Sequence, residues 1–197
     1  METSTTKQQL FSKEDLKKLI IPLLFEQALA ITVGMADTVM ISSAGEAAVS
    51  GVSLIDMFNN LIISVLAALA TGGAVVTSQF LGAGKKEDAC KSAKQLIVSS
   101  VCITIGISIL VMVFCNGIIS LFFGKIEADV FHNAVIYMMI SALSFPFLAL
   151  YNSCAALFRS MGNSQITLKV SVVENIINIG GNALGVYCLL YTSDAAD

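Results

Sequence analysis

Residues 31–40 read ITVGMADTVM, and they place a carboxylate, Asp37, inside an apolar run that extends from about Leu19 to Ile41. A run of that length can cross a bilayer, which takes about 20 residues. Working outward, similar runs recur along nearly the whole chain. Of its 197 residues, 56% are hydrophobic and 13% charged. A soluble domain carries about twice that charged fraction. Mean hydropathy is +0.82. The pattern predicts an all-α polytopic transmembrane helix bundle, and the strand alternation of a membrane barrel is absent.

Five spans are predicted, over about 19–42, 55–80, 95–123, 131–157 and 166–191. Residues 1–18 read as a polar tail and helix start, without the cleavage pattern of a signal peptide. The polar breaks are SSAGEAAVSG (42–51), GAGKKEDACKSAK (82–94), GKIEAD (124–129) and RSMGNSQ (159–165). The last six residues, TSDAAD (192–197), resemble an adapter read-through and are set aside, with a genuine short acidic tail as the alternative.

The eleven basic residues are distributed unevenly. Lys7, Lys13, Lys17 and Lys18 precede or open the first span, and Lys85, Lys86, Lys91 and Lys94 lie around the second break. Arg159 and Lys169 flank the fourth break, which leaves Lys125 alone on the other side. The positive-inside rule then puts the N-terminus in the cytoplasm and the protein in the cell membrane.

The cysteines (Cys90, Cys102, Cys115, Cys154 and Cys188) show no CxxC spacing, and His132 is the only histidine. A structural metal site or a Ser/His/Asp couple has little to work with. No cofactor, enzyme chemistry or nucleic-acid partner is predicted.

Candidate functional residues are therefore polar groups at membrane depth. Glu26 and Asp37 are eleven residues apart in the chain. That is close to three turns, so they share a helix face. A charged carboxylate there costs at least about 2.5 kcal/mol, so it should face a cavity or a partner. A carboxylate so placed exchanges protons with its surroundings and attracts cations. The ordinary alternative is a buried acid satisfied by neighbouring helices. In the fifth run, VVENIINIGGNALG carries Asn175, Asn178 and Asn182 on one face with Glu174 beside them. Repeated amides suit ion coordination, and equally suit interhelical hydrogen bonding. Counted from the same side, Asn182 and Asp37 reach the same half of the membrane. Pro22 is interior if the first helix starts at a Ser12/Asp15 capping pair, and it predicts a kink or hinge; Pro146 predicts another. Gly72, Gly73 and Ala74, and the pair Gly181 and Gly185, read as close-packing positions. Asp56, Asn59 and Asn60 cluster at the start of the second span. Phe58, Phe145, Phe147 and Tyr151 are candidates to line a cavity, with core or lipid-facing packing as the alternative.

The order Pro22, MADTVM, AAVSGVSL, TGGAVVTSQFLGAGKKEDA, ALFRSMGNSQ, NIINIGGNALG resembles the N-terminal part of a multidrug and toxic compound extrusion (MATE) transporter, over about residues 15–190. The resemblance implies twelve helices in two six-helix lobes, of which this chain would hold the first five of one lobe. Its partners would be the lipid bilayer, the remaining lobe and small cationic, amphipathic substrates. These would be exported in antiport with protons or sodium. By the resemblance, the coupling acid falls on Asp37, where sodium could bind transiently, and the hinge falls on Pro22. The fifth-helix pair falls on Asn178 and position 182. Position 182 is Asn here, not the Asp of many members, so a site resting on Asp37 alone would carry one negative charge. Glu26, Gln27, Glu174, Asn175 and Tyr151 are the candidate substrate-cavity residues. A lipid-linked saccharide flippase on a related scaffold, or a non-transporting membrane scaffold, are the competing readings. The first would want a basic cavity and the second no buried acid.

Overall fold

The computed structural model describes residues 13–42 and 45–184, apart from the side chains of Asp15 and Ala183. Ser12 of the predicted capping pair, Gly185 of the GxxxG pair, Cys188, the end of the fifth predicted span and the 192–197 tail lie outside the described residues, as does most of the N-terminal tail. Among the described residues five helices follow one another: α1 Lys13–Ser42, α2 Glu46–Gly82, α3 Lys86–Phe123, α4 Ala128–Ser160 and α5 Ser164–Ala183. Four of them, α1 to α4, are long and apolar enough to cross a membrane. α5 is less apolar over its described length because Lys169, Glu174 and three asparagines interrupt it.

The helices begin earlier than the apolar runs. α2 takes in EAAVSG from the first break, and α3 takes in the charged segment from Lys86. Glu46 opens α2, and Glu87 and Asp88 open α3. Acidic residues in a first turn complement the exposed amides and the helix dipole there. Polar composition ends a membrane span without ending a helix.

The turns are tight. Lys85 N–H donates to Phe80 O at 3.0 Å and Asn163 N–H to Phe158 O at 2.9 Å. Each closes a Schellman-type turn around a left-handed glycine. These are Gly84 at φ 75° and Gly162 at φ 80°. Neighbouring helices are thereby driven antiparallel.

Packing divides the bundle into two groups. α4 lies against both α2 and α3, which also touch each other, and α1 pairs with α5. The core of the first group is Ile55, Val111, Cys115, Ile119, Ala134, Met138, Ala142 and Phe145. Lipid tails are as apolar as these side chains, so close fit holds the group together. Gly51 supplies part of that fit: a Cβ there would lie 3.0 Å from Ala134 N and Val130 O. Gly73 is covered directly by the Leu96 side chain, whereas Gly72 faces open space. Phe145 is core, Phe58 meets Phe122 edge-on at 5.8 Å, and Phe147 is exposed.

α1 and α4 run through Pro22 and Pro146 as continuous helices, and among the described residues an interior departure from helical φ/ψ is at Phe114 in α3 (φ −103°, ψ 15°). For α1 the reason is visible. Proline has no amide, so the carbonyl four residues back loses its helical donor. That carbonyl is Lys18 O, and it accepts from Ser164 Oγ of α5 at 3.2 Å, with Leu19 O at the same distance. Ser164 is fully buried. A hydroxyl from a neighbouring helix replaces the missing N–H.

Candidate functional site

α1 and α5 pack together, and in their C-terminal halves they form a polar contact. Asn182 Nδ2 donates to Asp37 Oδ1 at 2.7 Å and lies 3.1 Å from Asn178 Oδ1. The i, i+4 spacing of Asn178 and Asn182 puts both amides on the face that α5 turns to α1. Asp37 is half-buried and Asn178 exposed. The three side chains border a cavity of about 420 Å³ that also reaches Gly34, Thr38, Ser53, Asp56 and Tyr137.

Asp56 and Tyr137 are not among the ion-coupling residues predicted from the sequence. Tyr137 of α4 donates its hydroxyl to Asp56 Oδ1 of α2 at 2.9 Å. Two carboxylates, Asp37 and Asp56, line the same cavity. The second acid stands on α2 rather than at position 182 of α5. Asp56 stands out in the sequence as an acid beside two asparagines, but nothing in its spacing links it to Tyr137. Asn59, one turn on, donates to Ser141 Oγ at 3.1 Å and helps hold α2 to α4.

A second polar group lies near the middle of α1, on the N-terminal side of the first. Glu26 is 8% exposed, and its Oε1 lies 3.8 Å from Arg159 of α4. Its Oε2 has no hydrogen-bond partner among the described residues. Tyr151 of α4 lies within electrostatic range of Glu26, Arg159 and Glu174, and Glu174 of α5 within range of Glu26. Asn175 donates to Ser171 Oγ at 3.3 Å. Of the predicted substrate-cavity residues, Glu26 and Tyr151 gather here with Glu174 in electrostatic range, while Glu174 and Gln27 are both exposed. Arg159 enters the sequence reading only as a topological charge; its place beside Glu26 is not visible there. Pro22 is buried one turn from Glu26.

The two polar groups are separate. On α1, Glu26 and Asp37 are eleven residues apart. At a rise of about 1.5 Å per residue, that is about 16 Å along the helix axis. Among the described residues, no three of His, Cys, Asp and Glu are grouped to hold a metal ion.

Long apolar helices that enclose carboxylates and amides define the class as a multi-pass membrane protein of transporter type. The chain belongs to the MatE family, whose model matches residues 22–184, and the family is one of transporters rather than enzymes. It is 31% identical over 193 residues to the uncharacterized transporter YisQ of Bacillus subtilis (strain 168), covering 93% of this chain and 42% of that protein. It is 25% identical over 172 residues to the probable multidrug resistance protein NorM of Thermotoga maritima, covering 85% of this chain and 36% of that protein. The chain thus spans about two-fifths of the length of these relatives. Among solved structures, it is similar to a MOP superfamily transporter from Pyrococcus furiosus, with TM-score 0.82, 20% identity and coverage of 89% of this chain and 38% of the other. Reverse polarity of the binding pocket suggests a different function for that transporter. It is also similar to a multidrug resistance MATE family transporter in an outward-facing conformation, with TM-score 0.81, 19% identity and coverage of 89% and 39%. At these identities the likeness to the solved structures is one of fold.

Proposed function

We propose that the chain forms part of one lobe of an antiporter that exports cationic, amphipathic compounds in exchange for protons or sodium. The coupling site is Asp37 with Asn178 and Asn182, and Asp56 held by Tyr137 supplies the second carboxylate of the same cavity. The observation that carries this reading is the 2.7 Å hydrogen bond from Asn182 to Asp37, which ties α1 to α5 beside a polar cavity. A cation or proton arriving at Asp37 competes with Asn182 for the same oxygen. Occupancy of the site therefore changes how firmly α1 is held to α5, which is what a coupling ion must do. Pro22 is the position where α1 bends once that hold is released, and substrates cross between this lobe and the rest of the transporter.

The charge asymmetry of the helix ends supports a cell-membrane orientation with the N-terminus of α1 in the cytoplasm. The flippase reading finds less support, because a pyrophosphate cargo needs a cationic cavity and this one is lined by acids.

The test uses the full transporter polypeptide. Asp37→Asn should lower substrate efflux from loaded vesicles by at least tenfold, with the protein still inserted and folded. Retention of efflux or of drug resistance would refute the role of Asp37. Asn182→Ala should be milder, since it removes one ligand and leaves the charge.

A further inference from the structure

The group around Glu26 has a feature that ordinary ion pairing does not account for. The Glu26 side chain is nine-tenths buried, yet its contact with Arg159 is a single 3.8 Å approach to Oε1. Arg159 also turns its Nε to its own helix, donating to Ala155 O at 3.3 Å. The guanidinium therefore does not grip the carboxylate through two parallel bonds, the arrangement that makes such pairs strong. Glu26 Oε2 is buried, with less than 1 Å² exposed, and has no hydrogen-bond partner among the described residues. Glu174 lies in electrostatic range as a second acid.

The pairing is weak. One guanidinium stands 3.8 Å from the buried Glu26 carboxylate, and Glu174, itself exposed on α5, adds a like charge within electrostatic range. Facing Glu26 are Arg159 and Tyr151 from α4 and Glu174 from α5. Lys169 of α5 is exposed and further toward its N-terminus. The acids of α2, Glu46 and Asp56, belong to its opposite half. A metal cation would need several further oxygen ligands and room for its coordination shell, and Oε2 has neither. A proton needs no room.

We infer that Glu26 is a second proton-binding carboxyl of the lobe, set between Arg159 and Glu174 on the N-terminal side of Asp37 along α1. It takes a proton from water on the α1 N-terminal side, becoming a neutral acid that no longer holds the Arg159 guanidinium by charge. On release the proton returns to that side and Arg159 turns back to Glu26. The inference rests on the antiport reading for what the proton is used for, but the protonation itself can be measured without transport.

The experiment is an infrared pH titration of the full transporter polypeptide in lipid, following the carbonyl band of protonated carboxyls. Glu26→Gln should remove one band and leave that of Asp37. With Glu26 intact, Arg159→Gln should raise its midpoint by at least one pH unit, a tenfold gain in proton affinity, because the stabilising positive charge is gone. Glu174→Gln should lower the midpoint, because a like charge is gone. If Glu26→Gln does not fold, the two titrations with Glu26 intact still decide. A band set unchanged by Glu26→Gln, or a Glu26 midpoint that moves with neither neighbour, overturns the inference. Loss of efflux coupling at Asp37 with the Glu26 band in place would count against the antiport reading alone. Working antiport without the band would count against this inference alone.

Discussion

At the scale of single residues, position 182 decides the charge that touches Asp37. The Asn182 amide donates to Asp37 at 2.7 Å, so the acid is satisfied without a bound cation. Asn182→Asp would set a second carboxylate close to the first. Two like charges about 4 Å apart repel by about 4 kcal/mol at an effective dielectric of about 20, and a shared cation relieves this. The substitution should tighten sodium binding to the full transporter polypeptide by about tenfold or more, read by calorimetry or radiolabelled sodium. An unchanged affinity would mean that sodium does not bind at Asp37. The Asp37, Asn178, Asn182 grouping is legible in the sequence, because polar residues at helical spacing stand out against apolar runs that have no use for them in lipid. The pairing of Asp56 with Tyr137 is not, since the two are 81 residues apart and meet only through the register of α2 on α4. That register is set where Gly51 lies against Ala134, a contact that no spacing rule reveals.

At the scale of helices, the number and character of the elements follow from hydrophobic runs, but their ends and their straightness do not. α2 and α3 extend through segments that read as loops. A polar, alanine-rich or acid-led stretch propagates a helix as well as an apolar one. Pro22 predicts a kink on local grounds alone, and the distant Ser164 hydroxyl supplies the donor that local reasoning counts as lost. This makes a double-mutant cycle informative. Ser164→Ala should cost about 1 kcal/mol in thermal unfolding in detergent, the scale of one hydrogen bond between membrane helices. In a Pro22→Ala background the helix supplies its own N–H to Lys18 O, and the same substitution should cost markedly less. Equal costs in both backgrounds would show that the hydroxyl does not serve the proline gap. At the α2–α4 crossing, a methyl at position 51 would meet backbone, whereas one at position 72 opens onto free space. Gly51→Ala should therefore destabilise by about 1–3 kcal/mol in the same unfolding measurement, and Gly72→Ala should be near neutral.

At the scale of the whole molecule, the up-and-down order of the helices gathers the basic residues at one end. The N-terminus of α1, the α2–α3 turn and the α4–α5 turn share that end, and Lys125 lies between α3 and α4 at the other. α3 is 38 residues long. At about 1.5 Å per residue it runs about 57 Å, well beyond the roughly 30 Å of a hydrocarbon core, so its charged start projects from the membrane. Cys90 lies in that start and is exposed. Cys90 thus stands among charged residues at the helix start, whereas Cys102, also exposed, lies three turns deeper on an apolar stretch of the helix. In a variant retaining only Cys90, a membrane-impermeant maleimide should leave intact cells unlabelled and react after the membrane is opened. A Lys125→Cys variant lacking the native cysteines should behave in the opposite way. The ends of α3 are thus tested against each other within one helix, so a failure of expression or reactivity at one site cannot imitate the expected pattern. Labelling of Cys90 in intact cells would invert the orientation and put the N-terminus of α1 outside the cell.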